Sequence, residues 1–250
     1  KPDYHYAWNG KGIALRNLER YEQAVAAYEK ALEIKPDYHY AWNGKGDALI
    51  KLERYEQAVA AYEKALEIKP DYHYAWNGKG IALENLERYE QAVAAYEKAL
   101  EIKPDYHYAW NGKGIALENL ERYEQALAAY DKALEIKPDY TNSIINLGLV
   151  KYEIGKIDEA IKNWQTAIEI NNQDLDLQVE PQLAIGVALY KKGEISAGLT
   201  IAETALKLDK SWGNLQRLKK ENWSDKLLAD AEKLLEHPQI KTLLSQTVEE

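Results

Sequence analysis

The run Lys-Pro-Asp-Tyr-His-Tyr-Ala-Trp at Lys1 returns at Lys35, Lys69 and Lys103, a period of 34 residues. A degenerate copy begins at Lys137, and a sixth, starting near residue 175, is recognisable from Gly186 to Lys210 after a four-residue insertion in the region Asp174–Gln178. A unit this short cannot bury an apolar face alone, so units repeated at a fixed period must stack and share a core.

Each unit reads as two helices. Pro2 and Asp3 suit a helix start, where a missing N–H costs nothing and a negative charge meets the positive end of the dipole. The spacing predicts helix one over Tyr4 to Asn17, a turn at Leu18-Glu19-Arg20, and helix two over Tyr21 to Ile34. Trp8, Gly12 and Leu15 share one face of the first; Tyr21, Ala24, Tyr28, Ala31 and Leu32 share one face of the second. The next Lys-Pro ends the pair, because the residue before proline avoids helical geometry.

The pattern Trp8, Gly12, Ala24, Tyr28, Ala31, Pro36 resembles the tetratricopeptide repeat, in six copies over residues 1–212. The resemblance implies an all-α, right-handed superhelical α-α solenoid of about six helix pairs, with a concave groove lined mainly by first helices. It also implies a non-catalytic scaffold that binds a peptide or protein segment. After Lys210 the period fails. Residues 213–250 are expected to form a helical cap, with one helix near Asp225–Glu236 after the N-cap Ser224 and another from Pro238 through Leu244. Residues 137–250 are similar to the C-terminal parts of bacterial, and particularly cyanobacterial, tetratricopeptide proteins. Three departures stand out. Lysine (Lys11, Lys45, Lys79, Lys113) replaces the usual apolar residue before the first-helix glycine. Glutamate (Glu19, Glu53, Glu87, Glu121) replaces the turn glycine that Gly155 and Gly193 keep. An extra glycine, Gly10, sits inside helix one at about 1 kcal/mol against helix formation.

The four early units differ at five of 34 places, two of them conservative. The other three are Ile13, Arg16 and Asn17, matched by Asp47, Ile50 and Lys51, by Ile81, Glu84 and Asn85, and by Ile115, Glu118 and Asn119. Their i, i+3, i+4 spacing defines one stripe of helix one. Extended backward, it takes in the rows Asn9, Asn43, Asn77, Asn111 and Tyr6, Tyr40, Tyr74, Tyr108. In the resembled family this stripe faces the groove, although a solvated side free to drift would vary in the same way. The amides could hold the backbone of an extended peptide, and the tyrosines could add flat contact area; alternatively, the Asn side chains bond to nearby backbone. Asp47, Glu84 and Glu118, offset by Arg16 and Lys51, suggest a mildly basic ligand. The carboxylate clamp of chaperone-binding relatives is incomplete, since Asn9 occupies the place of its first lysine.

No catalytic constellation, cofactor motif or metal-ligand set emerges. His5, His39, His73 and His107 recur one per unit, and stacked helices about 8–10 Å apart hold such side chains too far apart to share one ion. The absence of cysteine excludes disulfides and thiolate chemistry. A formal charge of −9 argues against nucleic acid, and no apolar run approaches the ~20 residues a membrane span needs. No leader pattern opens the sequence, so a cytoplasmic location is expected, as is end-to-end self-association through an uncapped first unit. Near-identical units without Phe, Met or Cys also fit an idealised, engineered scaffold with no ligand.

Overall fold

The computed structural model describes residues 4–246. Five antiparallel helix pairs follow the repeat: α1 (Tyr4–Asn17) with α2 (Tyr21–Ile34), α3 (His39–Lys51) with α4 (Tyr55–Ile68), α5 (His73–Asn85) with α6 (Tyr89–Ile102), α7 (His107–Asn119) with α8 (Tyr123–Ile136), and α9 (Thr141–Glu153) with α10 (Ile157–Ile170). A 3-10 turn, Asp176–Gln178, absorbs the insertion before the sixth pair, α11 (Val179–Lys191) with α12 (Ile195–Leu208). The chain divides into two compact units, Lys1–Ile136 and Lys137–Glu250, and the boundary falls within the run of repeats. Each is an all-α stack of repeat hairpins.

Alanine and tyrosine make the core of the first unit. Ala24, Tyr28 and Ala31 of α2 and their equivalents in α4, α6 and α8 are shut from solvent. Tyr28 also explains the glycine that looked like a cost in the sequence. A Cβ on Gly12 would come within 2.6 Å of its ring, and so would a Cβ on Gly44 in the next pair. The ring is therefore clasped between two first helices. The Gly10 position serves the neighbouring unit, a role no reading of a single pair reveals.

The repeated lysine and tryptophan sit at the outer seam. Trp42 Nε1 donates to Pro36 O at 2.8 Å, and the indole is only partly buried. Lys45 lies over that indole, 5.6 Å from the ring centroid, and pairs with Glu29 of the preceding helix at 2.8 Å. The same pair recurs as Lys79–Glu63 and Lys113–Glu97. Trp8 was expected within the packing face; this row instead closes the turn between pairs, and the lysine stem shields it.

The tail of the second unit is more elaborate than two capping helices. A 3-10 turn (Lys210–Gly213) and a short helix, α13 (Leu215–Lys220), precede α14 (Asp225–Leu235) and α15 (Pro238–Ser245). The short helix was missed because six residues give no readable period. α15 packs on α12, whereas α14 lies across α9 and α11.

Candidate functional site: the first-helix face of residues 4–136

Successive first helices of the first unit leave a cavity of about 840 Å³ between them. Twelve of the stripe residues line it: Asn9, Ile13, Arg16, Asn17, Tyr40, Asn43, Asp47, Ile50, Lys51, Tyr74, Asn77 and Ile81. The other eight lie outside its walls: Tyr6, Glu84, Asn85, Tyr108, Asn111, Ile115, Glu118 and Asn119. The tyrosines of the stripe are half exposed, with Tyr40 at 49% and Tyr74 at 48%.

The asparagines sit deeper than the stripe reading expects. Asn9, Asn77 and Asn111 are buried, at 9%, 9% and 7% exposure. The Oδ1 atoms of Asn9, Asn43 and Asn77 are closed off from solvent without a hydrogen-bond partner. The reason is the Gly44 row, which draws neighbouring pairs so close that the amide carbonyls fall into the seam. Asn85 and Asn119 bond locally, each Nδ2 donating to the carbonyl four residues back, Ile81 O at 2.8 Å and Ile115 O at 2.9 Å.

An aromatic ribbon borders the cavity. Tyr38 meets His5, Tyr6 and Tyr40 edge-on, with ring centroids 5.0, 5.4 and 5.6 Å away. Tyr72 repeats the arrangement with His39, Tyr40 and Tyr74, and the pattern runs on to Tyr106 and Tyr108. Tyr38, Tyr72 and Tyr106 line the cavity but were not singled out in the sequence. Their recurrence every 34 residues was the available signal; two residues before the Tyr6 row, they fall off the i, i+3, i+4 stripe.

Comparison with known proteins places these hairpins. Sequence models described as "Tetratricopeptide repeat" match residues 5–38, 43–107 and 77–141, and one described as "TPR repeat" matches 148–193. The chain belongs to the tetratricopeptide repeat family. Among curated proteins, none matches. Among solved structures, it is similar to PilW, described as a widely conserved type IV pilus biogenesis factor, at 22% identity and a TM-score of 0.74, over 90% of this chain and 97% of that one. It is similar to pilF of Pseudomonas aeruginosa at 19% identity and a TM-score of 0.67, over 92% and 97% of the two chains. YrrB, described as a TPR protein with an unusual peptide-binding site, matches at 24% identity and a TM-score of 0.56, over 74% and 90%.

In this tetratricopeptide protein the variable stripe does chemical work inside three of the four early pairs. The second-helix tyrosine ends in a buried hydroxyl that needs an acceptor. Tyr62 donates to Asp47 at 2.9 Å, Tyr96 to Glu84 at 3.0 Å and Tyr130 to Glu118 at 2.8 Å. Tyr28 has no partner, because its own pair offers Ile13 and Arg16. Burial pushes the Glu84 carboxyl up to about 7, against the Tyr96 hydrogen bond that pulls it down. Burial likewise raises Asp47, opposed by Tyr62 and by the Arg16 guanidinium 2.5 Å away. These carboxylates are engaged within the protein, which removes much of the free acidity expected of the groove.

Among the described residues no cluster of His, Asp or Glu is arranged to hold a metal ion. No described helix is long and apolar enough to cross a membrane. Tetratricopeptide proteins are in general non-catalytic modules for protein interaction.

Proposed function

We propose that the first-helix face of residues 4–136 holds a segment of a partner protein, and that the chain works as a non-catalytic scaffold. The observation that carries this reading is the 840 Å³ cavity walled by aromatic rings, isoleucines and few charges. Concave, mostly apolar surfaces with a small number of polar groups are where proteins take ligands. Half-exposed tyrosines supply contact area at low entropic cost. The peptide-binding site in the description of YrrB fits the same use of the fold.

The test is a displayed-peptide selection on the full chain, followed by titration of the selected peptides against a double variant, Ile13→Glu with Ile81→Glu. Both side chains are on the cavity wall and partly exposed, so the variant keeps its fold. Binding is expected to weaken at least tenfold. Selected peptides that bind the variant as tightly as the parent overturn the assignment.

A further inference from the structure

In the second unit the same face is already occupied by a helix of the chain itself. α14 lies across α9 and α11, with Leu227, Ala231 and Leu234 fully buried. In the middle of that apolar face is Asp230, 3% exposed. Its carboxylate accepts from Tyr152 Oη at 2.9 Å, Lys191 Nζ at 3.0 Å and its own helix's Lys233 at 2.8 Å. Towards the other end of α11, Trp223 Nε1 donates to Glu180 at 3.1 Å. By repeat register, Tyr152 stands where Arg16 does in the first pair, Lys191 where Lys51 does in the second, and Glu180 where Tyr40 does.

The tail therefore covers the positions that are open in the first unit. Besides Lys233 of its own helix, the side chains that hold Asp230 are one from helix one of a pair and one from helix one of the next. In the first unit that junction is Arg16 with Lys51, two cations. The following junctions are Ile50 with Asn85 and Glu84 with Asn119. Lys51 is exposed, lines the cavity and has no ion pair among the described residues; Arg16 is paired with Asp47, whose other oxygen accepts from Tyr62. The amide carbonyls that would grip an extended backbone are sealed in the seam, which removes the ladder such a strand would need.

We propose that the Arg16–Lys51 junction receives an amphipathic helix of a partner protein, seated by an acidic residue in the middle of the helix's apolar face. This rests on the reading that the face binds a protein segment, and it names the partner's chemistry. The helix lays its aliphatic stripe over Ile13 and Ile50, and its carboxylate takes Lys51 and shares Arg16 with Asp47. Anchors at helical spacing in an apolar groove are a recurrent mode of recognition, and a desolvated carboxylate between two cations fixes register more than it adds affinity.

The test uses fluorescence anisotropy with a labelled peptide of residues 224–237, the chain's own α14, against the full protein. Three arms accompany it: the peptide with Asp230→Lys, the protein with Lys51→Glu, and a helix-broken peptide with Ala229→Pro and Glu232→Pro. Lys51 is not in the second unit, so its variant separates trans binding at this junction from displacement of the resident α14. Expected results are a loss of at least tenfold for either single charge reversal, recovery when both are combined, and no binding of the broken peptide. Equal binding by the Lys51→Glu protein overturns the proposal. Equal binding by the broken peptide overturns the helical partner and leaves the groove reading intact. If the α14 peptide fails while the selected peptides of the preceding experiment bind, this inference falls alone; if both fail, the groove reading falls with it.

Discussion

At the residue scale, Tyr28, Tyr62 and Tyr96 form an internal control. All three rings are clasped between glycines, yet only Tyr62 and Tyr96 find a carboxylate for the hydroxyl. An unsatisfied buried hydroxyl costs about as much as a hydrogen bond gains. Tyr28→Phe is therefore expected to leave stability unchanged or raise it by up to ~1 kcal/mol, whereas Tyr96→Phe lowers it by roughly 1–2 kcal/mol. Urea unfolding of the two variants side by side decides the matter; equal destabilisation would show that Tyr28 has an acceptor after all. The sequence displayed the variable positions but not this use of them, because nothing in one helix shows which side chain of the other ends beneath it.

At the element scale, the hairpin turn was legible and its strain was not. The turn residues Glu19, Glu53, Glu87 and Glu121 have φ between 55° and 57°, in the left-handed region, while Gly155 and Gly193 take φ 85° and 88° at the same place. An L side chain there costs roughly 1–2 kcal/mol, and glycine returns part of that through its freer unfolded state. Glu87→Gly is expected to stabilise by about 0.5 kcal/mol, read as a higher urea midpoint with an unchanged slope; a lower midpoint would mean the glutamate side chain contributes contacts that outweigh its backbone strain. Helix boundaries in the early pairs came directly from Pro, the turn triplet and the 3.6-residue period. α13 did not, and neither did the placement of α14 across α9 and α11, since an apolar stripe states that a helix needs cover and not which surface supplies it.

At the scale of the whole molecule, titration links both compact units to pH. Burial raises Glu84 in the first and Glu180 in the second to about 7, against hydrogen bonds from Tyr96 and Trp223. A carboxyl raised above its unfolded value is stabilised in its protonated form, so that contribution is whole below about 4.5 and lost as pH rises through 7. His39 and His73 act the other way: burial lowers them, so stability falls as pH drops below their ordinary value of 6.5. Between pH 6.5 and 8 most of the histidine contribution is already spent, and the glutamates dominate. Stability is expected to fall across this window by roughly 0.5–1 kcal/mol per glutamate, and Glu84→Gln should flatten its share. A melting temperature that rises from pH 6.5 to 8, or an unchanged slope in the variant, would contradict this.

The repeat period, the proline and turn punctuation and the apolar spacing determined by themselves that this chain is a run of helix hairpins, because each is a local demand on the backbone. They also marked the stripe where units differ. Tertiary packing alone decided what that stripe does: how closely the Gly44 row draws neighbouring pairs, which leaves Asn carbonyls sealed and tyrosines at the rim, and which carboxylates are consumed by buried hydroxyls. It also decided that α14 fills the inner face of the second unit. These outcomes depend on contacts between residues 12 to 78 apart in sequence, which no pattern within a single helix encodes.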